Sequence, residues 1–218
     1  MNIYGRFVLP RVVHFTCSRN PNMRQRAKIV PAAWGRVLEI GFGSGLNLPF
    51  YDSAAVQHLW ALDHSQEMWA LAQQKVHRAS FPVEFLEASA EDVPLPDRTV
   101  DTVVITYTLC TLPDVPRALA QVARVLRAEG HLLFCEHGLA PDEHVRNWQN
   151  RVNPLWKRFG GGCHLNRDIP ALLRDGGFQA VEMSSMYIPG WRPASFNYWG
   201  TATPPSPGRR PASTVAAA

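Results

Sequence analysis

The stretch VLEIGFGSGLN, from Val37 to Asn47, restricts this chain more than any other, because an aliphatic run stops there at three alternating glycines, Gly41, Gly43 and Gly45. Glycine reaches backbone conformations closed to other residues and lets another group approach the main chain. A short strand that ends in such a bend opens a βαβ unit. The next segments keep that rhythm. QHLWALD from Gln57 reads as a second strand, Ser65 as the cap of a helix with Met68, Leu71, Ala72 and Val76 at helical spacing, and VEFLE at 83–87 as an alternating strand. DTVVIT at 101–106 is a near-continuous apolar run of the kind found in strands covered on both faces. Asp114 and Pro116 start a helix with Val115, Leu119, Val122 and Leu126 on one face and Gly130 just past its end, and HLLFCEH at 131–137 is the next strand.

Beyond it, Val145, Trp148, Val152 and Leu155 mark the apolar side of a helix that Pro154 should bend or end. A shorter helix runs from an Asp168 cap to a stop at Gly176 and Gly177, and two strands near 179–188 and 194–201 suit an antiparallel pair. Pro10, Pro21 and Pro31 break residues 1–34 into short pieces with a helix near Asn22 to Val30, which reads as an N-terminal cap or lid. The main domain spans 35–203, and the Pro-rich segment 204–218 has too little apolar surface to offset its ordering entropy, so it is expected to be disordered. The fold class is therefore α/β: a Rossmann-like, doubly wound, mostly parallel sheet with an antiparallel C-terminal strand pair and a helical N-terminal cap.

Composition narrows the partners. With 218 residues, 46% hydrophobic and 18% charged, the chain is long enough for one domain with a real core. The 22 Lys and Arg against 18 Asp and Glu give a net charge of +4 without runs of like charge, so nucleic acid is not implied. Cys17, Cys110, Cys135 and Cys163 form no CxxC pair, so no zinc-knuckle or thioredoxin spacing is present; free thiols and no metal are expected. Arg6, Pro10, Arg11 and His14 interrupt the N-terminal apolar residues before a signal core or a span of about 18 residues can form. A cytoplasmic protein is expected, with a surface-lying N-terminal segment touching a membrane as the alternative.

The glycine bend lacks the small third residue of a dinucleotide fingerprint, since Leu46 stands there, so nicotinamide dinucleotides are disfavoured. Asp63, ending the second strand, is placed to accept hydrogen bonds from ribose hydroxyls. A nucleoside without a gripped phosphate, plus a carboxylate at Glu39 suited to an amino group, describes S-adenosylmethionine. The plainer readings are that the glycines only shape a loop, that Asp63 only caps the next helix, and that Glu39 is a structural acid.

On VLEIGFGSG, ALDHSQEM, SAEDVPLPDRTVD and VARVLRAEGHLLFCEH, the chain from about 35 to 138 resembles the class I S-adenosylmethionine-dependent methyltransferases. The resemblance implies that Gly41, Gly43, Gly45 and Asn47 wrap the cofactor, Asp63 holds its ribose, His64 and Met68 flank its adenine, and Thr106 lies beside its methionine portion. Ser89 stands where many relatives have an Asp for the adenine amino group, leaving Ala90, Glu91 and backbone groups to read the base. A longer resemblance, to about residue 203, rests on ITYTLCTLPD, LLFCEHG, WQNRVNPLWKRFGGGCHLNRD and FNYWGTA. These segments look like the thiol S-methyltransferases of animal microsomes and their bacterial relatives acting on dithiol antibiotics. The most specific residues are Glu136, His137, Trp148, Gln149, Pro154, Trp156, Gly162, Cys163 and Arg167. The animal enzymes carry an N-terminal membrane helix, and the shorter N-terminus here departs from that.

The expected reaction is methyl transfer to the sulfur of a small hydrophobic thiol, yielding S-adenosylhomocysteine. A thiol with a pKa of about 8.5 is only a few per cent thiolate near neutrality, so a base would help modestly. His137 is the first candidate, with a loop-holding histidine as the plain alternative; Glu136 would fix the loop or orient it. Cys110 joins the catalytic candidates, although it and Cys163 also read as small apolar residues. His164 and Asn166, in GGGCHLN, would cover the acceptor or form a plain turn. Met186, Tyr187, Trp191, Phe196, Tyr198 and Trp199 offer an apolar acceptor pocket, with Tyr4, Phe7 and Phe15 as a lid opposite. The competing functions are carbon, oxygen or nitrogen methylation of a quinone or phospholipid precursor, and non-catalytic cofactor binding.

Overall fold

A computed structural model describes residues 8–205; the expectations for Tyr4, Phe7 and most of the Pro-rich tail lie outside them. Seven strands form one sheet in the order β3-β2-β1-β4-β5-β7-β6. β1 (Gly35–Ile40), β2 (Val56–Asp63), β3 (Val83–Glu87), β4 (Val100–Thr106) and β5 (Leu126–His137) are parallel, while β7 (Phe196–Thr203) pairs antiparallel with both β5 and β6 (Gln179–Tyr187). This is the Rossmann-like sheet that the alternation of strands and helices implied.

The central strands are apolar on successive residues because both faces are covered. Leu38, Ile40, Val103, Ile105, Leu132 and Phe134 pack on one side with Leu119 and Val122 of α4 (Val115–Val125). Val37, Leu59, Ala61, Val104 and Leu133 pack on the other with Ala72 of α3 (Gln66–Val76) and Ile29 of α2 (Asn20–Ile29). Each of these side chains leaves water almost entirely, at about 1.5–3 kcal/mol for a branched aliphatic. Among the described residues no helix is long and apolar enough to cross a membrane.

Local chemistry set the helix starts. Ser65 accepts from the Met68 amide at 3.2 Å, Asp114 from Arg117 at 3.0 Å, and Asp168 from Ala171 at 3.0 Å ahead of α6 (Ile169–Asp175). Other expectations need correction. α3 buries Ala72 and stacks Trp69 on Phe85, centroids 4.5 Å apart, leaving Leu71 exposed. α4 ends at Val125, so Leu126 and Gly130 belong to β5; a Cβ on Gly130 would stand 2.8 Å from the Asp101 carbonyl, which makes this glycine a close-approach point between strands rather than a helix stop.

α5 (Glu143–Phe159) runs through Pro154 without ending. Its expected apolar stripe holds only in part: Val145 is buried, but Trp148 is 51% and Leu155 64% exposed, whereas Gln149 is fully buried. The Gln149 Oε1 accepts from the Ala140 amide at 3.0 Å, and the two hydrogens of its Nε2 are shared among the Gly138, Leu165 and Pro193 carbonyls, each at 2.9 Å. A polar side chain that satisfies four backbone groups can face inward, and hydrophobic periodicity does not see it. An additional helix, α1 (Leu9–Cys17), lies in the segment that the prolines were expected to break up; Pro10 sits in its first turn, where the missing amide costs nothing.

Candidate active site

β1, β2, β4 and β5 are parallel neighbours, so their C-terminal ends meet along one rim. Register places Ile40 beside Leu62 and Ile105, and Thr106 beside Cys135. Glu39, Asp63, Thr106 and the Glu136–His137 pair, distant in sequence, thereby arrive on the same side of the sheet.

The bend after β1 adopts left-handed conformations at Gly41, Gly43 and Gly45, with φ of 71°, 58° and 67°. A side chain on Gly41 would collide with that of Thr108. Asp63 anchors the bend: its Oδ2 accepts from the Gly43 amide at 2.7 Å and its Oδ1 from Ser65 at 2.9 Å. His64, beside it, is exposed, with Nδ1 3.7 Å from Asp63 Oδ1.

Glu39 is buried beneath the bend. Its Oε1 accepts from Asn47 at 3.0 Å and its Oε2 from the Tyr51 hydroxyl at 2.7 Å, so the carboxylate holds the bend. Burial pushes its pKa up to about 7, against the pull of Tyr51, Arg26 and Asn47. Asn47 also donates to Thr106 Oγ1 at 2.9 Å, and Arg26 donates to Asn47 Oδ1 at 2.8 Å and to the Thr106 hydroxyl. Arg26 is buried, its guanidinium lies 5.0 Å from the Tyr107 ring centroid, and its Nε has no hydrogen-bond partner among the described residues.

A narrow cleft opens here, lined by Gly41, Phe42, Gly43, Ser44, Leu46, Met68, Thr106 and Tyr107 from the sheet side, and by Val13, His14, Cys17 and Arg26 from α1 and α2. Of the donor-binding residues expected from sequence, Gly41, Gly43, Met68 and Thr106 line it directly. His14 Nδ1 lies 2.6 Å from Ser44 Oγ, closing α1 against the bend. Phe15 is not in this wall; it is 66% exposed. Ser89 and Glu91 bond each other, and Glu91 also receives the Asp114 amide at 3.2 Å, so this pair ties its loop to the start of α4; Ala90 is core.

Glu136 is fully buried, its Oε1 accepting from the Thr108 and Leu109 amides at 2.6 and 2.9 Å. It fixes the loop after β4, and burial lifts its pKa to about 7. His137 does not line the cleft. Its Nε2 stands 3.2 Å from Cys163 Sγ, and Cys110, Cys163 and His137 form one cluster with ligand atoms within 4.8 Å of one another. Cys163 is drawn down to about 4, first by a hydrogen bond from Cys110, then by His137, against the opposing effect of burial. His137 is raised: burial alone would lower it, and the Cys163 charge overcomes that. Cys17 connects this cluster to the cleft, since it lines the cleft and feels the charge of Cys163 and Glu136.

The expected apolar acceptor pocket is not assembled as such. Met186 and Trp191 are exposed, and Tyr187, Phe196 and Tyr198 pack on Ala140 and Val145 as a small core. Asn166 bonds Asn150 at 2.8 Å. Arg26, His14 and Cys17 were missed because nothing in their own helices marks them; only folding against the bend does. Cys163 was marked by the resemblance and by the glycine-rich turn around it, but neither pointed to Cys110 or His137 as its neighbours.

A family model described as a methyltransferase domain matches residues 38–134. Thiol S-methyltransferase TMT1B of Homo sapiens is 30% identical over 191 residues, covering 85% of this chain and 78% of that protein. Its Rattus norvegicus counterpart is 29% identical over 164 residues, and the match spans 74% of this chain but only 65% of the rat protein's length. A phosphatidylethanolamine N-methyltransferase of Cereibacter sphaeroides is 37% identical over 173 residues, 78% of this chain and 82% of that one. The solved structure of a SAM-dependent methyltransferase from Methanosarcina mazei shares the fold, with a TM-score of 0.63 at 20% identity, covering 78% of this chain and 92% of that one. With the strand order, the glycine bend tied to Asp63 and these similarities together, the chain belongs to the class I S-adenosylmethionine-dependent methyltransferases.

Proposed function

We propose that this methyltransferase acts on the sulfur of a small, fairly hydrophobic thiol. The observation that supports a thiol is the charge of the cleft: the Arg26 guanidinium lines it, and among the described residues no aspartate or glutamate does. A thiolate gains electrostatically beside a guanidinium, whereas an ammonium head group does not. Raising the thiolate fraction from the few per cent ordinary at neutral pH is the help that such an acceptor needs.

The residues present fit the cofactor. Gly43 leaves the main chain bare along the cleft, while Thr108 fills the space beside Gly41, and each Asp63 oxygen, holding one amide, keeps lone-pair capacity for ribose hydroxyls. S-adenosylmethionine supplies, when bound, an electrophilic methyl group on a sulfonium centre. The chain's part is to bind, align and exclude water. Val13, Phe42, Leu46, Met68 and Tyr107 give the cleft apolar walls, and the Arg26–Asn47–Thr106 bonds keep its floor rigid. His137 meets Cys163 rather than the cleft surface.

A second reading has its own support: the identity to the Cereibacter sphaeroides lipid-amine enzyme favours an amine acceptor. The test is to incubate the purified chain and S-adenosylmethionine with an alkyl thiol, a dithiol, phosphatidylethanolamine in micelles and a quinol, following S-adenosylhomocysteine and the methylated product by mass spectrometry. Saturable thioether formation, with the other acceptors slower by about tenfold or more, is the expected result. Turnover of the amine or quinol without the thiol would replace this reading, and donor binding without any transfer would make the protein a non-catalytic binder.

A further inference from the structure

Cys110, His137 and Cys163 come from three separate segments: the loop after β4, the last residue of β5 and the turn after α5. Their two sulfurs and an imidazole nitrogen lie within 4.8 Å of one another, and the Cys163 Sγ to His137 Nε2 distance is 3.2 Å. With Zn–S of about 2.3 Å and Zn–N of about 2.0–2.1 Å, ligand atoms of a tetrahedral zinc site stand roughly 3.4–3.8 Å apart. Small side-chain adjustments therefore bring the trio onto one ion.

The segments are also held to one another by main-chain bonds. The His164 amide donates to the Cys110 carbonyl at 2.8 Å, and the Arg167 guanidinium donates to the Leu109 carbonyl and, at 2.7 Å, to that of Leu112. Glu136 holds the amides of Thr108 and Leu109 from the other side. A fixed frame around three convergent donors is what a preformed metal site requires.

We propose that Cys110, His137 and Cys163 bind a zinc(II) ion whose fourth coordination position takes the acceptor thiol as its thiolate. Two thiolates and an imidazole form a soft donor set that suits zinc and rejects magnesium and calcium. Three protein ligands with one position left over mark a reactive rather than a closed structural site. The position beside the cleft is given by Cys17, which lines the cleft and lies within electrostatic reach of both Cys110 and Cys163.

Loading the ion releases the cysteine protons to solvent, and an entering thiol loses its own proton to solvent as the zinc–sulfur bond forms. Methylation makes a carbon–sulfur bond at that sulfur while the methyl's bond to the sulfonium breaks, its electron pair staying with the departing thioether sulfur. The methylated acceptor is then neutral, a weak zinc ligand, and water replaces it. The identity of the fourth ligand rests on the thiol reading above; the metal site does not.

The test uses the full chain, purified without chelators from zinc-supplemented medium. Metal content by plasma mass spectrometry should be close to one zinc per chain. A cobalt(II)-loaded sample should show thiolate charge-transfer and tetrahedral ligand-field bands that shift when an alkyl thiol is added without methyl donor. Cys163→Ser and His137→Ala should each weaken metal affinity by tenfold or more, about the size of effect that even outer-shell changes produce. Cys17→Ser should retain the metal. Wild-type protein, folded by circular dichroism, that retains no zinc overturns the proposal whatever the variants do. Loss of metal in Cys17→Ser, or a cobalt spectrum unmoved by thiol, overturns the open position. Metal-free protein that methylates thiols at full rate overturns this inference and leaves the thiol reading intact; zinc-loaded protein that methylates only an amine overturns the thiol reading and supports the metal site.

Discussion

Arg26 Nη1 donates to Asn47 Oδ1 at 2.8 Å, which ties the second helix of the N-terminal cap to the glycine bend of the sheet domain. The same guanidinium reaches Thr106 at the end of β4, so one side chain joins three elements around the cleft. Arg26→Ala removes a buried charged donor and leaves Asn47 Oδ1 unpaired. The expected outcome is a loss of about 2–3 kcal/mol in denaturant unfolding and weaker retention of S-adenosylhomocysteine in calorimetry. Arg26→Lys keeps the charge but loses the planar guanidinium that lies 5.0 Å from the Tyr107 ring centroid, so it should recover only part of either.

Asp63 accepts one amide on each oxygen and keeps capacity for more. In Asp63→Asn the carboxylate becomes an amide that can accept at one atom only. Affinity for S-adenosylhomocysteine should fall about tenfold to a hundredfold, since a hydrogen bond to a charged group contributes about 1.5–3 kcal/mol. Unchanged affinity in calorimetry would mean that the ribose lies elsewhere.

Gly41 combines a φ of 71° with a position where any Cβ meets the Thr108 side chain. Gly41→Ala should lower the unfolding free energy by at least the 1–2 kcal/mol that a left-handed conformation costs a non-glycine residue. Adding Thr108→Ala should restore part of the loss, because it relieves the collision and not the backbone strain. A double variant no more stable than the single one would show that only the backbone matters.

Glu39 supplies a pH dependence. Its pKa in the folded chain is raised by burial to about 7 from 4.5; Tyr51, Arg26 and Asn47 oppose the rise and Asp63 adds to it. Between those values the folded chain binds the proton and the unfolded chain does not, so stability falls as pH rises through that window and the contribution is flat above it. The total is of the order of 3 kcal/mol. Denaturant midpoints of wild type and Glu39→Gln, compared from pH 4.5 to 8, should show the slope in the first and a shallower one in the second, since Glu136, also raised to about 7, titrates over the same window.

Much of the fold was legible because it depends on local patterns. β3 runs over 83–87 as the alternation of VEFLE indicated, and Ser65, Asp114 and Asp168 cap helices where their type and position said they would. Such signals need only a side chain and its own backbone within a few residues. α5 defeated the same method, because Gln149 satisfies four distant backbone groups and so occupies the inner face that Trp148 and Leu155 were assigned.

By itself, the sequence determined the parallel sheet, the glycine bend and the acidic residue ending β2, since each is written in contiguous residues with a fixed period or a fixed conformational demand. Only the tertiary structure decided that Glu39 faces inward, that Arg26 and Cys17 enter the cleft, and that Cys163 meets Cys110 and His137. The physical reason is range. Contacts between residues 26 and 47, or 110 and 163, depend on how separate elements pack, and no periodicity along the chain carries that information.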